Sequence, residues 1–173
     1  IIRLSQEVAL VEAYAEIQKI RFADKFELIV DIPEELEDCM LPKLTLQPLV
    51  ENAIIHGLAE CEAGTVLVQA SAKSGVDGTD AEETDSGSFA AEGGILRIMV
   101  QDDGSGMTAE EVKRLNETGQ TAEGETPGHE SIGYNNVDAI IRLHYGEQYG
   151  LYVESEKDVG TRVYLTIPLS RKG

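Results

Sequence analysis

The segment ILRIMVQDDGSGM, residues 95–107, constrains the fold more than any other stretch of the chain. Leu96, Ile98 and Val100 recur at a period of two, so they share one face of a strand. The same period carries Asp102 onto that face and turns Asp103 toward solvent. A carboxylate on the buried side needs donors, because leaving it unpaired costs several kcal/mol. Gly104 and Gly106 take side chains away directly beside it. A flat ligand offering N–H donors would fit there. A turn closing a strand, for which Asp-Gly is common chemistry, is the plainer account.

Around this strand the patterns alternate between helix and strand. An apolar face made of two stripes, Leu4/Val8/Val11/Ala15 and Leu10/Tyr14/Ile17, predicts a helix from about residue 4 to 22. FELIVDI reads as a half-buried strand closed by Pro33. Helical spacing resumes over about 42–58, where Pro48 predicts a local kink or a late start. A strand follows over about 65–72. Residues 73–93 lose all periodicity, are rich in Gly, Asp and Glu, and read as an acidic surface insertion. Thr108 and Glu111 form a capping-box pattern for a helix ending near Asn116, and 117–132 read as a loop. A helix over about 134–145 has Gly146 as its C-cap, and LYVES and TRVYLTI end the chain as strands turning through Asp158 and Gly160. The order α-β-α-β-β-α-α-β-β, with adjacent strands at the end, predicts an α+β two-layer fold: a mixed sheet with helices on one face, in one domain spanning 1–173.

Composition narrows the classes. The 173 residues are of single-domain size and 42% apolar, which excludes a disordered chain. The net charge of −18 sets the surface against nucleic acid and anionic membranes beyond a Debye length of about 8 Å. No apolar run approaches the ~20 residues of a membrane span. Cys39 and Cys61 lack metal-ligand or redox spacing and read as buried or idle thiols in a reducing compartment. A start at Ile1 without Met suggests a piece of something longer.

Three places beyond the first strand could carry chemistry. In LQPLVENAIIHG, Asn52 and His56 stand one turn apart, off the stripe of Leu46, Leu49, Val50, Ala53 and Ile54. An amide and an imidazole so stacked can present an oxygen to hydrated Mg2+ and a donor to phosphate; a polar pair on a solvated face is the alternative. GHESIGYNNV could aim backbone N–H groups at phosphate from a helix start, although Glu130 brings a negative charge. Thr161 shares parity with Val163, Leu165 and Ile167, so it faces inward as Asp102 does. The donors that Asp102 lacks could come from the 6-amino group of adenine.

Taken together, these segments resemble the ATP-binding catalytic domain of bacterial sensor histidine kinases, of the YesM/LytS type. That domain belongs to the superfamily with the Bergerat ATP fold, shared with gyrase, Hsp90 and MutL. LQPLVENAIIHG is similar to its N box, DDGSGM to its first glycine box and SIGYNNV to its second. EAYAEIQKIRF and HYGEQYGLYVESEKDVGTRVYLTIP resemble its opening and its end. The resemblance implies a two-layer sandwich with about five strands and a site for ATP and Mg2+. It implies that Asn52 ligates Mg2+, with His56 beside the phosphates as the second catalytic residue. Asp102 would accept from the adenine amino group, and Thr161 would complete the adenine contacts through water. Gly104 and Gly106, with Met107, would let nucleotide approach the backbone, and Ile132 and Gly133 would form the phosphate end of a lid.

The resemblance also implies partners: a histidine-bearing dimerisation domain absent from this chain, and a response regulator. The parent would be a membrane-anchored homodimer with this domain in the cytoplasm. His56, His129 and His144 lie outside any phosphoacceptor pattern, so the fragment is not expected to phosphorylate itself. The second box has Ser131 where the family has Gly, and Ile140 stands where Arg is common. With Glu130 these favour an alternative, a degenerate docking domain that works without nucleotide. Pro48 stands where hydrolytic members of the superfamily carry a carboxylate, which argues against a hydrolase or serine kinase.

Overall fold

The strand from the middle of the chain that ends in Asp102 forms the centre of the sheet. The computed structural model describes residues 1–59, 61–73, 94–117 and 129–171, the first four of the last segment by backbone alone. The acidic insertion beyond Lys73 and the loop read over 117–132, from 118 to 128, lie outside the described residues. The elements run β1 (Ile2–Arg3), α1 (Leu4–Arg21), β2 (Phe26–Asp31), a 3-10 turn (Glu34–Leu36), β3 (Met40–Leu41), α2 (Leu46–Asn52) and a π turn (Ala53–Gly57). They continue with β4 (Gly64–Lys73), β5 (Ile95–Asp102), α3 (Ala109–Glu117), α4 (His129–Tyr145), β6 (Gly150–Glu156) and β7 (Gly160–Pro168). The five-stranded sheet has the order β2-β4-β5-β7-β6, with only β2–β4 parallel. It is the mixed sheet the sequence predicts, and β1 and β3 add a small antiparallel ribbon.

One face of the sheet carries the core. Val66, Val68, Leu96, Ile98, Val100, Val163, Leu165 and Ile167 are buried on it against Val11, Leu49, Val50, Ile54, Val137 and Ile141 of the helices. The opposite face shows Arg97 stacked over the Tyr164 ring at 4.2 Å, and its β6 residues Tyr152 and Glu154 are exposed. At an edge, Asn116 of α3 holds β6 by a pair of bonds: its amide donates to the Val153 carbonyl and its oxygen accepts the Val153 N–H, at 2.8 and 2.9 Å. A side chain there satisfies what a sixth strand would.

Helix α1 departs from its predicted face. Leu4, Val11 and Ala15 are buried, but Ile17 is 65% exposed and Leu10 39%. Glu7 is fully buried instead. Its carboxylate accepts the N–H groups of Leu44, Thr45 and Leu46 at 2.7, 3.1 and 3.0 Å, capping α2 from another helix. An anion at that helix end also meets the positive pole of the dipole. Pro48 is the third residue of α2, among the positions whose N–H has no intrahelical partner, so the helix starts late and is not kinked.

Helix α4 begins at His129 rather than near 134. Gly133 sits inside it because the helix crosses α2 closely there: a Cβ on Gly133 would lie 2.8 Å from Asn52 Nδ2. The other punctuation holds as read. Thr108 and Glu111 close their capping box (Thr108 N–H to Glu111 Oε2, 2.7 Å), and Gly146 ends α4 with φ +103°. Asp158 and Gly160 turn the last hairpin with positive φ. Cys39 is buried and Cys61 partly so, both unpaired thiols. Among the described residues, no helix is long and apolar enough to cross a membrane.

Candidate functional site

The C-terminal end of β5 and the start of β7 lie side by side, with Asp102 paired to Thr161 across the ladder. Both are buried, at 5% and 6% exposure, as their parity requires. The π turn forms the adjoining wall. Its extra residue per turn makes the Leu58 N–H reach the Ala53 carbonyl at 3.0 Å, a geometry common at functional sites. It brings Gly57 against Asp102, and the Gly57 carbonyl accepts the Ser105 N–H at 2.9 Å.

The glycines of DDGSGM are required by this packing. A Cβ on Gly104 would strike the Gly57 carbonyl, and one on Gly106 the Glu156 carbonyl, with Gly106 also at φ +60°. The loop is pinned from the last hairpin as well. Asp158 N–H donates to the Ser105 carbonyl at 2.7 Å, and Met107 N–H to Ser155 Oγ at 2.8 Å. Ser155 Oγ lies 2.9 Å from both the Gly160 carbonyl and Thr161 Oγ1.

A cleft of about 280 Å3 opens above this floor, lined by Asn52 and His56 on one side and by Gly106, Met107, Glu111 and Lys157 on another. Asp102 and Thr161 lie at its base, with Tyr134 of α4 over it. Burial pushes the Asp102 carboxyl up from 3.8 to about 6; the Gly104 N–H, bonded to Oδ1 at 3.0 Å, opposes this, and the neighbouring charge of Asp103 adds to it. Asp103 itself is exposed and accepts the Thr65 N–H at 2.6 Å. The Asn52 Nδ2 is buried against Gly133 without a hydrogen-bond partner among the described residues, while Asn52 as a residue lines the cleft.

The structure thus brings Asn52, His56, Asp102, Gly106, Met107 and Thr161 to one cleft, with Gly104 behind its floor and Gly133 against Asn52. The Ile132 side chain, with those of His129, Glu130 and Ser131, lies outside the described residues. Ile140 is 40% exposed and does not line the cleft. Sequence reasoning missed Gly57, Ser105, Tyr134, Glu111, Lys157 and Ser155. Only Ser155 had a ready signal, since it shares parity with Leu151 and Val153.

A buried acid, a glycine loop and an amide-bearing helix arranged on such a sheet define a nucleotide-site class. The chain belongs to the histidine kinase-, DNA gyrase B- and HSP90-like ATPase family, whose pattern matches residues 38–171. It is 33% identical over 168 residues to the sensor histidine kinase YesM of Bacillus subtilis, covering 97% of this chain and 24% of that protein. It is likewise 33% identical over 171 residues to the sensor histidine kinase YpdA of Escherichia coli, covering 98% and 25%. The chain therefore spans about a quarter of the length of these relatives. The catalytic domain of histidine kinase ThkA superposes with a TM-score of 0.60 at 13% identity, covering 99% of this chain and 97% of that one. The histidine kinase domain of the Erythrobacter litoralis EL346 blue-light activated kinase gives 0.57 at 19%, covering 98% and 62%. These two bear on the fold alone.

Proposed function

We propose that this chain is the ATP-binding catalytic domain of a sensor histidine kinase, presenting Mg-ATP to a histidine on another domain of its parent. The observation that carries the reading is the cleft itself: Asp102, a buried carboxylate that accepts only backbone N–H groups, lies at its base, and Asn52 lies in its wall. Adenine supplies the N–H donor that a desolvated carboxylate needs, and the 6-amino group meets Asp102. Met107 and Gly106 line the cleft beside Asp102, where they would flank the base.

The polar side chains toward α2 suit the triphosphate. Among the described residues no cluster of three acidic, His or Cys ligands could hold a metal alone. That fits Mg2+, which keeps its waters and takes one or two protein oxygens plus phosphate oxygens. Asn52 is the residue that would hold it, by its amide oxygen, and when bound the ion neutralises charge on the transferring phosphoryl group. His56 stands beside the phosphates as a donor. Asn52 and His56 orient the γ-phosphate, and the acceptor imidazole arrives from the dimerisation domain.

Free hydrolysis is disfavoured on this geometry. Pro48 stands one turn before Asn52, where a general base would be needed. The nearby Glu51 carboxylate is turned toward α1, where burial and its charge push the Tyr14 phenol up to about 12. The degenerate docking alternative has no observation in its favour among the described residues, since Ile140 lies off the cleft. The response regulator, and a membrane-anchored homodimeric parent with this domain in the cytoplasm, follow from the same reading.

Calorimetric titration of the chain with ATP and Mg2+ tests it, followed by transfer of labelled phosphate to a separately supplied histidine-bearing domain from the parent. Binding and transfer are expected. A chain that binds no nucleotide overturns the proposal.

A further inference from the structure

Helix α1 carries two apolar stripes, and the fold uses only one of them. Leu4, Val11 and Ala15 are buried in the core. Leu10, Ala13, Ile17 and Ile20 are all exposed, Ile17 at 65% and Ile20 at 85%. Ile20 follows Val11 by nine residues, about two and a half turns, so the two stripes lie on opposite sides of the helix. A contiguous exposed apolar patch of this kind marks an interaction surface, whereas scattered single residues do not.

The spacing says what kind of partner fits. Leu10, Ala13, Ile17 and Ile20 recur at steps of three, four and three, the a and d positions of a heptad repeat, which mesh with a second helix. Glu16 and Arg21 flank this seam, at the g position of one heptad and the e position of the next. In a parallel pair those positions face each other, so Glu16 of one copy meets Arg21 of the other, twice by symmetry. Both side chains are available. Glu16 is 70% exposed and engages Lys19 at 2.7 Å through Oε1 alone. Arg21 is exposed and rests over the Phe22 ring at 5.5 Å. The helix therefore carries both halves of the charge pattern that such a seam requires.

We propose that the outer stripe of α1 is a self-association surface, on which two copies of this chain pair their α1 helices in parallel. The seam is short, and free peptides of that length would not pair, because forming their helices costs too much. Here each helix is already folded onto its own domain through the opposite stripe, so that cost is absent. The small area gives a weak, concentration-dependent pair and not a permanent dimer. The net charge of −18 on each copy opposes the approach, and about 0.15 M salt screens that repulsion beyond roughly 8 Å. The proposal is independent of the nucleotide reading, since no residue of the cleft takes part.

Sedimentation of the chain across a concentration series at that salt tests it. The unaltered chain is expected to pass from monomer toward dimer as concentration rises. Ile17→Lys, at an exposed position, should weaken the association at least about tenfold while the melting temperature holds. Glu16→Arg alone and Arg21→Glu alone should each weaken it, and the double reversal should restore it. Orientation is read by cross-linking: Ile17→Cys in a Cys61→Ser background should form a disulfide-linked dimer on mild oxidation, because a parallel pair sets position 17 against its own copy, and the remaining thiol, Cys39, is buried. A chain that stays monomeric at every concentration overturns the proposal and leaves this face to a helix of another kind. A dimer indifferent to Ile17→Lys, one not restored by the double reversal, or one that Ile17→Cys does not cross-link overturns it as well.

Discussion

A Cβ placed on Gly57 would fall 2.7 Å from the carboxylate carbon of Asp102, so the π turn and the buried acid fit only while residue 57 has no side chain. Gly57→Ala has no room to relax toward the Gly104 side, where backbone already touches backbone. Nucleotide affinity should fall by at least about tenfold as the carboxylate is pushed aside, with stability reduced by about 1–3 kcal/mol from overpacking. Titration calorimetry and denaturant unfolding measure the two effects separately.

Asp102→Asn keeps the shape and replaces an acceptor oxygen with a donor. ATP binding should weaken by roughly 2–3 kcal/mol through a lost charge-assisted bond and an unpaired buried group. Asp103→Asn should leave both affinity and stability nearly unchanged, because the amide oxygen can still accept the Thr65 N–H. Equal affinity losses at both positions would contradict the parity of β5.

The raised Asp102 carboxyl gives a pH signature with a definite sign. With its value near 6 against an ordinary 3.8, the folded chain holds a proton between about pH 4 and 6 that the unfolded chain has released. This group's contribution to stability therefore falls as pH rises through that window, by about 3 kcal/mol at most. Subtracting the unfolding free energy of Asp102→Asn from that of the parent at each pH isolates it. Binding runs the other way: protonation takes the charge from the Asp102 acceptor and weakens its bond to the adenine amino group, so adenosine affinity at pH 5 should be up to about tenfold below that at pH 7. Adenosine avoids the ionisation of phosphates, and Asp102→Asn should flatten the profile.

Glu7 supports α2 through three N–H groups in a fully buried position. Glu7→Ala should cost about 3 kcal/mol or more, since three donors lose their acceptor together. Glu7→Gln keeps one acceptor oxygen and should recover part of the loss. Urea unfolding of both variants checks the order.

Asn52→Ala removes the amide from the cleft but not from the core, because Asn52 lies off the apolar stripe of α2. Mg2+-dependent ATP affinity should drop to that seen without Mg2+, while adenosine affinity and melting temperature hold. Unchanged ATP affinity in Mg2+ would take Asn52 out of the site.

The sheet end was legible because strand periodicity is rigid. A period of two fixes Asp102 and Thr161 on the inward face whatever the rest of the chain does, and both are there. Helix α1 was not legible to the same degree. Both of its stripes are apolar, and only the partners that happen to pack beside it decide that Val11 and Ala15 go in and Ile17 stays out. Glu7 was invisible because its three partners are 37–39 residues away, and an acid in a helical stripe normally reads as a solvent position. Gly133 misled the reading of α4 for a related reason: glycine usually ends helices, and here it relieves a crossing with Asn52. Asn52 and His56 were visible as a pair, but spacing alone could not separate a site from a wet helix face. Ser155 obeyed the same parity as Asp102 and could have been found by the same count.

The close backbone packing at Gly57, Gly104, Gly106 and Gly160 bears on how this domain tolerates change. Where a pocket is walled by side chains, a substitution can be absorbed by a neighbour turning to another rotamer. Here a new methyl group at Gly104, Gly106 or Gly160 meets peptide carbonyls, which have no rotamer to turn to, and at Gly57 it meets the one carboxylate the floor is built around. A saturation library over the cleft should therefore separate sharply: the four glycines brook almost no replacement, while Lys157 and Glu111 at the rim accept many.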